Sequence, residues 1–144
     1  MSWESYITNR LMNFNQFGHV YNNVLTDAII IDFKGKILAT TGISINYEES
    51  QKLKEFFEQI INTILYLKLG EKKYRILHYE KDKHAYIRDG EKGGTIAKAK
   101  NLYVIGFFDT KKIYTYDGEK KIQCPGICNT VVEEVANELK SQGF

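Results

Sequence analysis

Apolar residues recur about every four positions in three stretches of the chain, and about every second position between the second and third. In "SWESYITNRLMNF", Trp3, Ile7, Leu11 and Phe14 form one stripe, with Tyr6 beside it, which predicts a helix over 2–14. Ser2 suits its N-cap, and Glu4 suits the positive end of its dipole. "VLTDAIIIDFKGKILATTG" then reads as two strands around a tight turn at Lys34-Gly35. "YEESQKLKEFFEQIINTI" begins as a helix with Leu53, Phe56, Phe57 and Ile60 on one side, and loses helical spacing near Ile61.

From there the period is two. "TILYLKLG", "KKYRILHYE", "KHAYIRDG", "GGTIAKAK" and "NLYVIGFFD" are short runs rich in β-branched and aromatic residues, separated by Gly, Asp and Lys. Gaps this short predict hairpins and an antiparallel sheet. "KKIYTYDGEKKIQ" adds an Asp-Gly pair between two strand-like arms, a strong hairpin signal over 111–122. In "GICNTVVEEVANELKSQGF", Ile127, Val131, Val135 and Leu139 repeat every four residues with Val132 alongside, which predicts a last helix. Helix, strands, helix, strands, helix is the order of an α+β domain on one antiparallel sheet.

The 144 residues suit a single domain, 1–144, with a real core. One proline and no long polar tract argue against disorder or a second domain. The net charge of +2 gives no global field for nucleic acid. No basic segment followed by an apolar run opens the chain, so no secretion signal is expected, and no apolar stretch is long enough to span a membrane. Two cysteines fit reduced thiols in a reducing cytosol.

Candidate chemistry is sparse. Gly93-Gly94 stands alone and reads as a turn rather than a phosphate loop. His19, His78 and His84 lack metal-ligand spacing, and Cys124 and Cys128 in "CPGIC" lack both the redox spacing and a second pair for zinc. No carboxylate sits in an acid/base setting, so neither a catalytic site, nor a metal, nor a cofactor is expected. Charge is more telling locally: between Lys68 and Lys100 ten Lys/Arg residues stand against five acidic ones. That excess reads either as solvated strand faces or as one basic face for an acidic partner.

"MSWESYITNRL" and "CNTVVEEVANELKSQGF" together resemble the ends of profilins, the small proteins that bind actin monomers. "KILATTGISINYEESQKLKEFF", "LKLGEKKYRIL" and "GGTIAKAKNLYVIGFFD" are similar to the family's middle segments, in order. The resemblance implies a central antiparallel sheet with the terminal helices on one face and shorter helices on the other. It implies cytoplasmic, cytoskeletal work without catalysis: binding monomeric actin at its barbed-end side, regulating nucleotide exchange and polymerisation, and linking actin to proline-rich proteins such as formin-type elongation factors. By position, Lys73, Arg75, Ile76, His78, Arg88, Lys98, Lys100, Gly126, Asn129, Glu133 and Glu134 match the actin face. Trp3, Tyr6, Leu38, Glu138 and Phe144 match the groove for poly-proline, a pre-ordered helix that aromatic rings bury at little entropic cost. The basic surface also suits phosphoinositide membrane surfaces as partners.

Several positions depart from the family pattern. Leu38 stands where a Trp is common and Glu138 where a His or Tyr is, so proline binding is expected to be weak or the ligand different; Phe144 stands where the family usually ends in Tyr. His78 replaces the usual Arg and loses a fixed fork of donors. Residues 110–125 are an insertion beside the expected actin face. An alternative class is a GTPase-linked interaction module of longin- or roadblock-like shape without actin binding, which does not need Trp3 and Tyr6 paired with a Gln-Gly-Phe ending.

Overall fold

The computed structural model describes residues 2–58 and 64–144. Ser2 caps the first turn, its Oγ accepting from the Ser5 N–H at 3.1 Å. Helix α1 (Trp3–Tyr6) then runs straight into a π-helical turn, Ile7–Met12. The expected helix therefore stops short of Phe14. Asn13 ends it: its N–H reaches back to the Thr8 carbonyl at 3.2 Å, and its Oδ1 accepts from the Asn23 N–H at 2.9 Å. Phe14 instead opens strand β1 (Phe14–Gln16), which forms a hairpin with β2 (His19–Asn22) that the sequence pattern did not predict.

Strands β3 (Asp27–Asp32) and β4 (Ile37–Thr40) form the expected hairpin, tied by the Asp32 carboxylate accepting from the Lys34 and Lys36 amides, each at 2.9 Å. Helix α2 (Tyr47–Glu58) starts on a reciprocal cap between Asn46 and Glu49. Leu53, Phe56 and Phe57 are buried as expected; Ile60 and the change of spacing near Ile61 lie outside the described residues. The remaining elements are β5 (Tyr66–Leu69), β6 (Lys72–Glu80), β7 (His84–Asp89), β8 (Lys92–Lys98), β9 (Leu102–Asp109), β10 (Ile113–Tyr116), β11 (Glu119–Ile122) and α3 (Pro125–Ser141). None of the described helices is long and apolar enough to cross a membrane.

Seven strands make one antiparallel sheet in the order β4-β3-β9-β8-β7-β6-β5. Because side chains alternate along strands, β9 is buried on both faces: Val104 and Phe108 join one core, Ile105 and Phe107 the other. The first core holds Tyr6, Ile7 and Leu11 with Val132, Val135 and Leu139 of α3; the second holds Phe56 and Phe57 of α2. The terminal helices thus share one face and α2 takes the other, as expected.

Helix α3 rests on β8 and β9, close enough that one position must be glycine. A Cβ on Gly106 would stand 2.6 Å from Val132 Cγ2 and 2.8 Å from Leu25 Cδ1. Gly93 and Gly94 lie inside β8, not in a turn. A Cβ on Gly93 would meet the Ile87 carbonyl at 2.6 Å and the Phe108 ring at 2.7 Å, so the pair lets backbone and ring close up across the sheet.

The 111–122 hairpin forms as predicted, with both turn residues at positive φ (Asp117 49°, Gly118 83°), as a type I′ turn requires. It does not stand alone. Strand β10 pairs with β2, giving a second, four-stranded sheet in the order β1-β2-β10-β11. Phe14 stacks on Tyr21 at 4.4 Å between centroids, and Tyr21 meets Tyr116 edge-on at 4.9 Å. Asp117 latches the two hairpins: its carboxylate takes the Val20 N–H at 2.7 Å and His19 Nδ1 at 2.6 Å. Buried Gln123 anchors the base, accepting from Thr26 Oγ1 and the Asp109 N–H and donating to the Asn23 carbonyl.

Gly106→Ala is expected to cost about 1–3 kcal/mol, the usual price of overpacking a tight contact, read as a lower midpoint in denaturant. The Asp117 latch is expected to be pH-dependent. The Val20 amide, and secondarily His19, hold the Asp117 carboxyl below the usual carboxylate range. A lowered value means the contribution is present above about pH 4 and is lost as pH falls through the folded-state value. The Val20 amide resonance is expected to titrate with a midpoint below about 4, and to lose that step in Asp117→Asn.

Candidate functional site

Helix α3 rests on β8 and β9 on its side of the large sheet, touches β7 only through Glu133 at Tyr86 and His84, and leaves β6 and β5 open. The bare half is built by strand alternation. Tyr74 and Ile76 of β6 turn to the α2 core, and Lys73 and Arg75 turn to the open side. A β-bulge between Ile76 and His78 then lets Leu77 and His78 both face outward, while Tyr79 returns to the α2 core. Leu77 is 52% exposed and Tyr66 on β5 is 48% exposed, so the surface has an apolar centre.

Cations surround that centre. Arg75 stands directly opposite Arg88 of β7, a like-charge pairing that strands ordinarily avoid at a cost of roughly 0.2–1 kcal/mol. Arg88 lies over the Phe108 ring, 5.2 Å from its centroid, and its Nε donates to the Gly90 carbonyl at 2.7 Å. Lys73 lies 4.4 Å over the Tyr66 ring.

Helix α3 forms the far wall. Asn129 accepts from Thr95 Oγ1, and Glu133 accepts from the Tyr86 hydroxyl at 3.1 Å while its Oε1 lies 2.5 Å from His84 Nδ1. Burial pushes Tyr86 up to about 12, helped by the Glu133 charge, so it stays a neutral donor. Gly126 is exposed with open space around it, and Glu134 is exposed. Tyr21 and Tyr114 of the small sheet line a hollow with Gly126 and Glu134, so the insertion flanks this wall.

Thus Gly126 and Glu134 lie on the side of α3 that meets the small sheet, Asn129 and Glu133 reach Thr95 and Tyr86 on its other side, and Lys73, Arg75, His78 and Arg88 share the open face of β6 and β7. Ile76 and Lys98 do not. Ile76 packs toward the α2 core because the neighbours of Arg75 must point the other way, and Leu77 takes the exposed apolar place. Lys98 likewise falls on the α2 side of β8, 5.5 Å over the Phe33 ring and paired with Asp82. Lys100 sits in the β8–β9 turn, away from the others. Leu77 was missed because a bulge leaves no mark in a two-residue period.

A second surface lies between the terminal helices. Trp3 is partly buried, meets Phe144 edge-on at 5.1 Å, and stands 6.2 Å from Tyr6. Phe144 is 43% exposed and is pinned by main-chain bonds to Leu139 and Asn101. Tyr6 is buried, its hydroxyl donating to Gln142 Oε1 at 3.1 Å, so it forms the floor rather than the rim. Leu38 packs on the same core, and Glu138 is ion-paired with Arg10 across the two helices. The opening tryptophan is therefore clamped, with one flank left in solvent. Cys128 is buried at the α3–sheet contact, its thiol pushed up to about 12 by burial, and has no free thiolate to offer.

The fold matches solved profilins over nearly its whole length. Acanthamoeba castellanii profilin IB aligns with a TM-score of 0.77 at 23% identity, covering 99% of this chain and all of that one. Mouse profilin IIa, solved with a double repeat from the FH1 domain of mDia1, aligns with a TM-score of 0.67 at 19% identity over the full length of both. LokiProfilin1, solved with rabbit actin, aligns with a TM-score of 0.62 at 18% identity, covering 82% of this chain and 84% of that one. At such identities these likenesses speak for the fold, and the sequence speaks for the lineage: a model of the family described as Profilin matches residues 1–144, and the chain belongs to the profilin family.

Proposed function

We propose that this protein binds monomeric actin through the bare half of its large sheet and the first turns of α3. The observation that carries the reading is the Arg75–Arg88 pair beside exposed Leu77 and Tyr66. Two cations held opposite each other gain from an acidic partner, and an apolar centre with a charged rim is the usual anatomy of an interface. The contact residues in this reading are Lys73, Arg75, Leu77, His78, Arg88, Gly126, Asn129, Glu133 and Glu134. A relative of the same fold has been solved with actin, which supports the assignment. Binding at the barbed-end side would block spontaneous nucleation and loosen the nucleotide cleft, in keeping with a family that acts by binding and not by catalysis. The small sheet lies beside Gly126 and Glu134 and would extend the contact.

The Trp3–Phe144 surface is proposed to take proline-rich segments such as those of formin-type factors, as supported by a relative solved with an FH1 repeat. Only the Trp3 and Phe144 faces offer aromatic area, while Glu138 is occupied by Arg10, so the affinity is low. The cations of the open face also suit phosphoinositide headgroups.

Assembly of pyrene-labelled cognate actin tests the first reading. An excess of the protein is expected to suppress spontaneous assembly, and Arg88→Glu to weaken the complex by about 1–3 kcal/mol. Assembly unchanged by a large excess overturns it. For the second, the fluorescence of Trp3, the sole indole, is expected to change on adding poly-proline. Trp3→Ala is expected to abolish that binding. Glu138→Tyr is expected to tighten it while costing about 0.2–1 kcal/mol of stability, as Arg10 loses its partner. A Glu138→Tyr variant with equal or poorer affinity defeats the groove assignment.

A further inference from the structure

The β6–β7 turn gathers three metal-ligand side chains that the sequence holds apart. His78 and Glu80 stand on one face of β6 by two-residue alternation, and the register sets Glu80 opposite His84 of β7. One ligand atom from each of His78, Glu80 and His84 lies within 4.8 Å of the others. The His78 and His84 rings are 5.4 Å apart between centroids.

His84 is the fixed member. Its side chain is 11% exposed, its ring stacks on Tyr86 at 4.6 Å, and its Nδ1 lies 2.5 Å from Glu133 Oε1. A carboxylate there favours the tautomer with the proton on Nδ1, which leaves a lone pair on Nε2. Nε2 is buried and has no hydrogen-bond partner among the described residues, an uncommon state for a polar atom. It faces Glu80 Oε2 at 3.6 Å, too far for a hydrogen bond. The Lys83 ammonium is bonded to the other oxygen of Glu80 at 3.0 Å, which leaves Oε2 turned toward His84.

We propose that His78 Nδ1 or Nε2, a Glu80 carboxylate oxygen and His84 Nε2 bind one divalent transition-metal ion of the zinc class, with Glu133 as the positioning residue behind His84. Two imidazoles and one carboxylate are a familiar zinc donor set, with water in the fourth place. Metal–ligand bonds of about 2.0–2.2 Å draw the donor atoms closer than they now stand. The two members that must turn, His78 and Glu80, are the exposed ones, and the buried one is already aimed. Oxygen-loving Mg2+ and Ca2+ do not suit two imidazoles. The inference stands apart from actin binding and is read without actin. The two meet at His78 and Glu133, which border the open face, so an ion there would alter that face's charge.

The test is calorimetric titration of the full chain with ZnCl2 in a non-coordinating buffer at pH 7.5. One ion per chain is expected, and Co2+ is expected to give visible absorption with imidazole nitrogen among its ligands. His78→Ala and Glu80→Gln, both at exposed positions that leave the core intact, are each expected to weaken binding at least tenfold; their double variant is expected to lose it. Glu133→Gln is expected to weaken it about tenfold through His84 alone. His19→Ala and Cys124→Ser are expected to bind as the parent does. No heat of binding, or one-to-one binding that survives the His78→Ala, Glu80→Gln double variant, overturns the proposal.

Discussion

The seating of α3 at Gly106 is the contact on which the rest depends. With no side chain there, the helix sinks onto β8 and β9, and Val132 and Leu25 close over the strand. A helix about 10 Å across reaches β7 only through Glu133 and cannot also cover β6 and β5. Depth on one half of the sheet is what leaves the other half bare. Gly93 contributes in the same sense, because Phe108 can lie flat enough there to carry the Arg88 guanidinium.

The bare half then acquires its chemistry from small offsets in strand geometry. One bulge places Leu77 and His78 side by side on the outer face and restores Tyr79 to the inner one. Without it, His78 and Glu80 would point into the α2 core. The same offset therefore sets the apolar centre of the open face and the histidine cluster at its edge. Glu133 joins the two, since it bonds Tyr86 and His84 at once.

Much of this was legible in the chain. The alternating runs from Leu67 to Phe108 announced the strands, and the four-residue repeat from Ile127 to Leu139 announced α3, because both patterns come from burial on one side of a regular element. Strands β1 and β2 were not legible. "FNQ" and "HVYN" are short and lack a regular apolar alternation, and β2 is held in place by β10, a partner about ninety residues away in sequence, while β1 pairs with β2. The π-turn was hidden for a related reason: Asn13 bonds both Thr8 and Asn23, and only the second of these contacts fixes where the chain turns. Among the candidate site residues, the outward facing of Arg75 and Arg88 and the seat of Trp3 beside the last helix agree with pattern and resemblance. Ile76 and Lys98 could not, since their facing depends on register. The gathering of His78, Glu80 and His84 likewise depends on which residues the β6–β7 pairing sets across from each other.

The small sheet ends in β11, a strand whose four residues are all exposed and whose outer edge has no neighbour among the described residues in the order β1-β2-β10-β11. Such an edge offers free amides and carbonyls to any passing strand. Here the offer is short, and Lys120 and Lys121 stand on it with Glu119. A second molecule approaching edge to edge would bring the same lysines against these and be repelled. The insertion can thus add surface to the protein without adding a route to self-association.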